Sequence, residues 1–362
     1  MTLDHLAAWK SFAAAVGDAG DALQWPGLEL DDLDRAEGLR YLARLVENAV
    51  AAQFSDRSPR QPGFGLLSNG FGMDNPDNHY LASPIDPCLE YRITGTRGSL
   101  SYLSFAAQNQ NFADTKSITG GAGTLHGDEL ALDEEGRFVI LASREPRPGN
   151  WLRLADDTRM VLVRQTRADP TLERWADVEI ECVDDDGAPP PPLDPASLTE
   201  RLHRIALYAG GAAAWFVDWV RPWLDRPNTF AFADADEQHR VGGDANIIAQ
   251  SAYWSFGSEQ ALVVEIDPPQ CAYWNIQLAN VWAECLDTRR PVWRNHTNVV
   301  LDRDGVARIV IAHQDPGHPN WLDTAGHRHG TAHVRYVLAD SLPPARTNVV
   351  DLDDVPPPPA SL

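Results

Sequence analysis

One stretch of this chain is written twice. FVILASREPRPGNWL (138–152) aligns without a gap on RIVIAHQDPGHPNWL (308–322), pairing Ala142 with Ala312, Pro146 with Pro316, and Asn150, Trp151 and Leu152 with Asn320, Trp321 and Leu322. Upstream, LDEEG (132–136) matches LDRDG (301–305), and Tyr102 and Asn109 fall opposite Tyr273 and Asn280, so the offset holds at 169–171 residues. Such a repeat restricts the fold strongly: each copy must be a β unit with an apolar face to bury, and the chain must hold two of them.

Both copies have the texture of strands. LEYRITG, SLSYLSFAAQ, RFVILAS and RMVLVRQT are short runs rich in β-branched and aromatic residues between Gly, Pro and Asp, and similar runs return at Ala261 and continue to about Leu338. Helices are expected over 2–18 and over 32–54, where Leu33, Ala36, Leu39, Leu42, Leu45 and Val46 recur at three- and four-residue steps behind Asp31 or Asp32 as N-cap. A third opens at the capping-box pattern Ser197 to Glu200 and runs to about Leu224. FGMDNPDNHYLASPIDP reads as turns rather than regular structure. The expected fold is mainly β: two related β-sandwich or jelly-roll units with an N-terminal helical segment and an inter-unit helix. Its divisions are a helical segment (1–60), a first β unit (61–190), a linker helix (191–240), a second β unit (241–345) and a disordered tail (346–362).

Charge restricts the partners. With 30 basic against 52 acidic residues and a net charge of −22, the chain is a poor match for nucleic acid or an anionic membrane surface, both of which are bound through Lys and Arg clusters. No run of about 18 apolar residues occurs and the N-terminus lacks the pattern of a signal peptide, so a cytoplasmic location is expected. The four cysteines form no CxxC pair and read as reduced thiols. A small-molecule substrate is the expected partner, and a homo-oligomer is compatible with the sequence.

The second copy, with YWSFGSEQALVVEIDPPQCAYWNIQLANVWAECLD, NHTNVVLDRDG and VIAHQDPGHPNWLDTAGH, resembles the DUF1214 family. DNPDNHY with YRITGTRG is similar to the companion DUF1254 family in the N-terminal half, so the resemblance spans roughly residues 25–340. It implies a mostly β protein with a jelly-roll C-terminal unit and helical additions, and it implies architecture rather than mechanism.

Candidate chemistry comes from the differences between the copies. His313 and Gln314 stand where the first copy has Ser143 and Arg144, and six of the eleven histidines lie in the second unit. General acid/base work needs a His or carboxylate held by a second polar group, and His313 with Asp315, His327 and His296 are the available set. Asn275 and Glu284 on YWNIQLANVWAE could line the same pocket with Trp282, Trp321 and Asn320, and Asp77, Asn78 and Tyr80 could close it from the first unit. The plainer reading of Asn-Trp-Leu in both copies is structural, a Trp packed over a sandwich end and an Asn closing a turn. His327, His329 and His333 form an HxHxxxH array, but the downstream Glu of a cupin-type metal site is missing, so neither a metal nor an organic cofactor is expected. The sequence thus favours an acid/base lyase, isomerase or hydrolase acting on a small apolar or aromatic metabolite, ahead of a non-catalytic binding module for a carbohydrate or other ring, and of a metal-dependent hydrolase or oxygenase.

Overall fold

The computed structural model describes residues 5–67, 72–111, 117–185, 187–189, 192–234 and 243–357. Nine strands belong to the first unit: β1 (Gly65–Leu66), β2 (Asn78–Pro84), β3 (Tyr91–Thr96), β4 (Tyr102–Asn111), β5 (Ser117–His126), β6 (Arg137–Ser143), β7 (Asn150–Arg153), β8 (Met160–Thr166) and β9 (Asp177–Cys182). Nine more form the second: β10 (Ala231–Phe232), β11 (Ile247–Ser255), β12 (Gln260–Ile266), β13 (Tyr273–Ala279), β14 (Trp293–Asn295), β15 (Ala307–Ala312), β16 (Trp321–Asp323), β17 (His329–Val337) and β18 (Arg346–Asp351).

The two units have one topology. The first pairs its strands as β1-β2-β8-β4-β5 and β7-β6-β3-β9; adding nine to each label gives the second unit's sheets, β10-β11-β17-β13-β14 and β16-β15-β12-β18. In each, the two sheets close on a dry core, with Phe105, Val163, Ile93 and Ile140 in one and Leu278, Val334, Val264 and Ile309 in the other. The duplication therefore covers entire sandwiches and not only the strands around the repeated Asn-Trp-Leu segment.

Among the described residues three α-helices accompany the strands: α1 (His5–Asp18), α2 (Asp32–Phe54) and α3 (Pro195–Val220). Helix α2 starts from Asp31, whose side chain accepts from Asp34 N while Asp34 answers to the Asp31 N–H. Helix α3 starts earlier than its Ser197 pattern suggests, because Asp194 caps it and Pro195 occupies the first turn. Tyr41 and Leu45 of α2, Ala209, Ala213 and Phe216 of α3, and Trp282 beyond β13 share one apolar cluster, which fixes both helices against the second unit.

Three expectations change. Residues 78–84 form β2, not turns, with seven register pairs to β8. Strand β11 begins well before Ala261. The expected disordered tail is a strand over Arg346–Asp351, β18, paired to β12 along six positions; residues 358–362 lie outside the described part. Its place was implied by the repeat, since β12 needs on its free edge the partner that β9 gives to β3.

Candidate functional site

Of the histidines singled out by sequence, His313 and His327 both contact Thr324, while His296 lies apart. His313 contacts the Thr324 hydroxyl through Nδ1 at 2.9 Å and packs its ring on Phe256, while Asp315 is exposed and accepts from the Gly317 N–H in its own turn. His296 is exposed at the far end of the sheet, edge-on to Tyr273. His327 is buried with Nε2 2.8 Å from Glu37 of α2 and Nδ1 2.8 Å from the Thr324 carbonyl. His329 makes the same kind of contact one turn away, with Nε2 2.9 Å from Asp34. Nearby, Glu284 takes Arg40 and Arg44 of α2, and Trp282 Nε1 donates to the Asp34 carbonyl. These groups hold α2 on the second sandwich. His333 turns elsewhere, between Ser251 and Thr331, and among the described residues no group of three or more His, Cys, Asp or Glu is placed to hold a metal.

Asn320 and Trp321 are structural in both copies. Asn320 Nδ2 donates to the carbonyls of Val300 and Arg308, and Asn150 Nδ2 donates to those of Ala131 and Val139, the second acceptor lying one residue further along its strand in the first copy. Trp321 and Trp151 each donate to a carbonyl at the end of the neighbouring strand. The strand-end loop is a brace.

The interior space lies elsewhere, between the two units. A cavity of about 820 Å³ is bounded by the five-stranded sheet of each sandwich and by α2 and α3, a size suited to a small organic molecule. Strand alternation puts the apolar side of each five-stranded sheet into its own core and turns the other side here, so β2 and β8 present Asn78, Tyr80 and Arg164, and β11 and β17 present Ile247, Ala249 and Arg335. Trp215, Phe216 and Trp219 of α3 form an aromatic wall.

The polar floor is built by reciprocal exchange. Tyr102 of β4 donates to Asp244, which precedes β11, at 2.8 Å; the Tyr273 hydroxyl of β13 reaches the turn before β2, 2.8 Å from Asp77 Oδ2 and 3.1 Å from Asn75 Oδ1. Asn75 and Asp244 are equivalent: each accepts from the N–H two residues on, Asn75 from Asp77 and Asp244 from Asn246, and each offers its carbonyl to the first residue of the following strand. The arginines are equivalent too, because Arg164 lies opposite Ser104 two positions along β4 from Tyr102, and Arg335 lies opposite Asn275 two positions along β13 from Tyr273. Burial pushes the Asp244 carboxyl up, but Arg164 at 3.0 Å, the Asn246 N–H and the Tyr102 hydroxyl outweigh it and hold the carboxyl below its ordinary range. At Asp77 burial wins over hydrogen bonds from Asn295, Tyr273 and Trp293, and the carboxyl is raised.

Of the sequence candidates, Asn78 and Tyr80 line the cavity and Asn275 lies beneath it, its Nδ2 on Asn75 Oδ1. Asp77 reaches Tyr273 and Asn295 across the junction. Arg164, Arg335, Asp244 and the α3 aromatics were missed. The arginine pair was available from the repeat, at the same 171-residue offset as Tyr102 and Tyr273.

Comparison with known proteins bears on the fold. Residues 257–339 match the model of the family described as "Protein of unknown function (DUF1214)". The crystal structure of an uncharacterised protein from Burkholderia cenocepacia is 36% identical, covers 96% of this chain and 98% of its own, and superposes with a TM-score of 0.92. A protein from Vibrio parahaemolyticus, at 12% identity, covers 92% of this chain and 100% of its own with a TM-score of 0.46. No curated protein matches the sequence.

Proposed function

The chain belongs to one family with the Burkholderia cenocepacia protein, and from that premise we propose that it binds a small molecule with an aromatic or other apolar ring body in the cavity between its two sandwiches. The observation that carries this reading is the composition of the cavity. An aromatic wall from α3 faces polar groups from both sheets, which is what a site needs to hold a ring and fix its orientation. Asn78 Oδ1, buried at the cavity wall, has no hydrogen-bond partner within the described protein and offers an acceptor to a ligand or a water. The ring binding expected of the Trp-rich second unit thus moves to the junction of the units. The finer reading of the first sandwich as DUF1254-like belongs with this proposal, supported by the identity of the two topologies. So does a cytoplasmic setting, in keeping with four free thiols; no helix among the described residues is long and apolar enough to cross a membrane.

Trp215 and Trp219 make the test direct, since a ring entering the cavity changes their fluorescence. A panel of naphthyl and phenyl compounds should quench wild-type emission saturably, and Ala249→Phe, which fills the cavity from β11, should abolish the saturable phase at unchanged fold. Saturable quenching that survives Ala249→Phe rejects the site.

A second reading, acid/base turnover without an organic cofactor, is favoured by one chain of contacts. His126 Nδ1 lies 2.9 Å from the Tyr102 hydroxyl, which donates to Asp244 on the cavity wall, so a carboxylate facing the ligand is joined to a second titrating group. On this reading Asp244→Asn removes turnover of a bound compound while its binding remains.

A further inference from the structure

We infer that the ligand of this cavity is an organic anion, in its simplest form a carboxylate, and that Arg335 is the residue that selects it. The inference rests on the cavity reading above and adds the chemical class and the orientation of what binds there.

The first observation is a reversal of charge. The whole chain has 52 acidic residues against 30 basic ones, yet among the described residues the cavity is lined by Arg57, Arg159, Arg164, Arg204 and Arg335 against Asp74 and Asp244. An interior that concentrates guanidinium groups in so acidic a protein raises the local concentration of anions and disfavours cations.

The second observation is the state of one of those arginines. Arg335 is 8% exposed, and its hydrogen bonds go to two neutral oxygens, Gln277 Oε1 at 2.6 Å and the Met73 carbonyl. Among the described residues no carboxylate pairs with it. The two acidic groups nearest in the sequence of the facing turn are engaged elsewhere: Asp74 accepts from the Cys285 N–H, and Asp77 accepts from Tyr273, Trp293 and Asn295. A guanidinium carries five N–H donors, so this one retains several beyond those two bonds, and a buried charge without a counter-charge is costly.

The third observation is the duplicate of the same site, which shows what neutralisation looks like in this fold. Arg164, in the equivalent position of the first sandwich, reaches Asp244 at 3.0 Å. The position equivalent to Asp244 in the other half is Asn75. Asn75 keeps the structure of that position: the turn, the carbonyl offered to the next strand and the approach of the tyrosine hydroxyl, at 3.1 Å. The acid of this turn stands two residues on, at Asp77 where the other half has Asn246, and it is taken up by Tyr273, Trp293 and Asn295 rather than by the arginine. The two halves thus share geometry and differ in where the turn's carboxylate stands: Asp244 pairs with Arg164, Asp77 is spent on other groups, and Arg335, which faces the cavity, has neither as its partner. An anionic ligand head group supplies the missing charge at Arg335, and its ring body then extends toward the aromatic wall of α3.

Two isosteric probes separate charge from shape: 2-naphthoate and its neutral amide, 2-naphthamide, titrated by tryptophan quenching and by calorimetry. Wild type should bind the naphthoate at least about tenfold more tightly than the amide, the size of one charge-assisted contact. Arg335→Gln and Asn75→Asp, the latter building into the second half the counter-ion the first already has, should each bring the ratio to about one. Asn75→Asp keeps the hydrogen-bond acceptor and decides the matter alone if Arg335→Gln does not fold, folding being followed by near-ultraviolet circular dichroism. Equal affinity for both probes in wild type overturns the anion inference and leaves the cavity reading standing. A naphthoate preference that persists in Asn75→Asp overturns the assignment to Arg335. Failure of both probes to bind wild type overturns the cavity reading itself.

Discussion

Replacing His327 by Ala tests whether the DTAGH segment is part of a reacting site or a clamp on helix α2. The imidazole makes two buried contacts, 2.8 Å to Glu37 Oε2 and 2.8 Å to the Thr324 carbonyl. A hydrogen bond to a charged partner contributes about 1.5–3 kcal/mol and a neutral one about 0.5–1.5. Glu37 keeps Asn280 and Arg40, so the full cost of an orphaned buried charge does not apply. The net loss is then about 3 kcal/mol, and with an unfolding entropy of about 2.1 cal/mol/K per residue over 362 residues, it lowers Tm by about 4 °C if the chain unfolds as one unit. Burial lowers the His327 pKa, but Glu37 outweighs it and the value is raised; for Glu37 burial raises, but His327 and Asn280 outweigh it and the value is lowered. The histidine contribution is therefore complete below its ordinary value of 6.5 and is lost as pH rises through the raised folded value; the glutamate contribution is complete above 4.5 and is lost as pH falls. The clamp is tightest between about pH 5 and 6, and the gap between wild type and His327→Ala should narrow by pH 9. Differential scanning calorimetry at pH 6 and pH 9 measures both. A variant within 1 °C of wild type at pH 6 refutes the clamp, as does a gap that widens with pH.

Two further substitutions test the frame around the cavity. In Gly38→Ala a Cβ would sit 2.7 Å from the Trp282 ring, which is 1% exposed and cannot retreat, so an overpacking cost of about 1–3 kcal/mol should exceed the helix-propensity gain of about 1 kcal/mol and Tm should fall; the same change at Gly17, where nothing lies within 4 Å, should leave Tm level or raise it. Ending the chain at Ala345 removes β18 and the half-buried Val349, Val350 and Leu352, a loss of about 3 kcal/mol of apolar burial that also bares the β12 edge, so light scattering should show concentration-dependent association; a truncated chain that stays monomeric with an unchanged Tm contradicts the assigned edge strand.

What the sequence made legible was whatever repeats or caps locally. RFVILAS is β6 to the residue, because a strand with both flanks marked by turn formers needs no tertiary information. Asp31 caps α2 for the same reason. The misses are non-local. Arg346–Asp351 looks like a polar tail because an edge strand buries only half of one face, yet the counterpart of β9 had to stand there. The histidines attracted attention as titrating groups, but the acids that hold His327 and His329 are some 290 residues away in α2, in a helix whose apolar face gives no hint of two buried carboxylates. The five-stranded sheets carry a second face that is polar and buried, and alternation within a strand cannot distinguish such a face from one turned to solvent.

The duplication also revises how the labour is divided. Histidine enrichment in the second copy suggests that one unit supports and the other acts, but the cavity has no such owner: each sandwich lends its turn to the other's tyrosine, Asp244 to Tyr102 and the Asn75–Asp77 turn to Tyr273, so neither floor exists without both units. Two equivalent halves facing one space would by themselves make a site indifferent to which way a ligand enters. The difference between Asp244 and Asn75 removes that indifference, because it leaves one arginine neutralised and the other not. The place to look for function in a duplicated fold is then the pair of equivalent positions whose geometry is kept and whose charge is not, rather than the copy with the more reactive side chains.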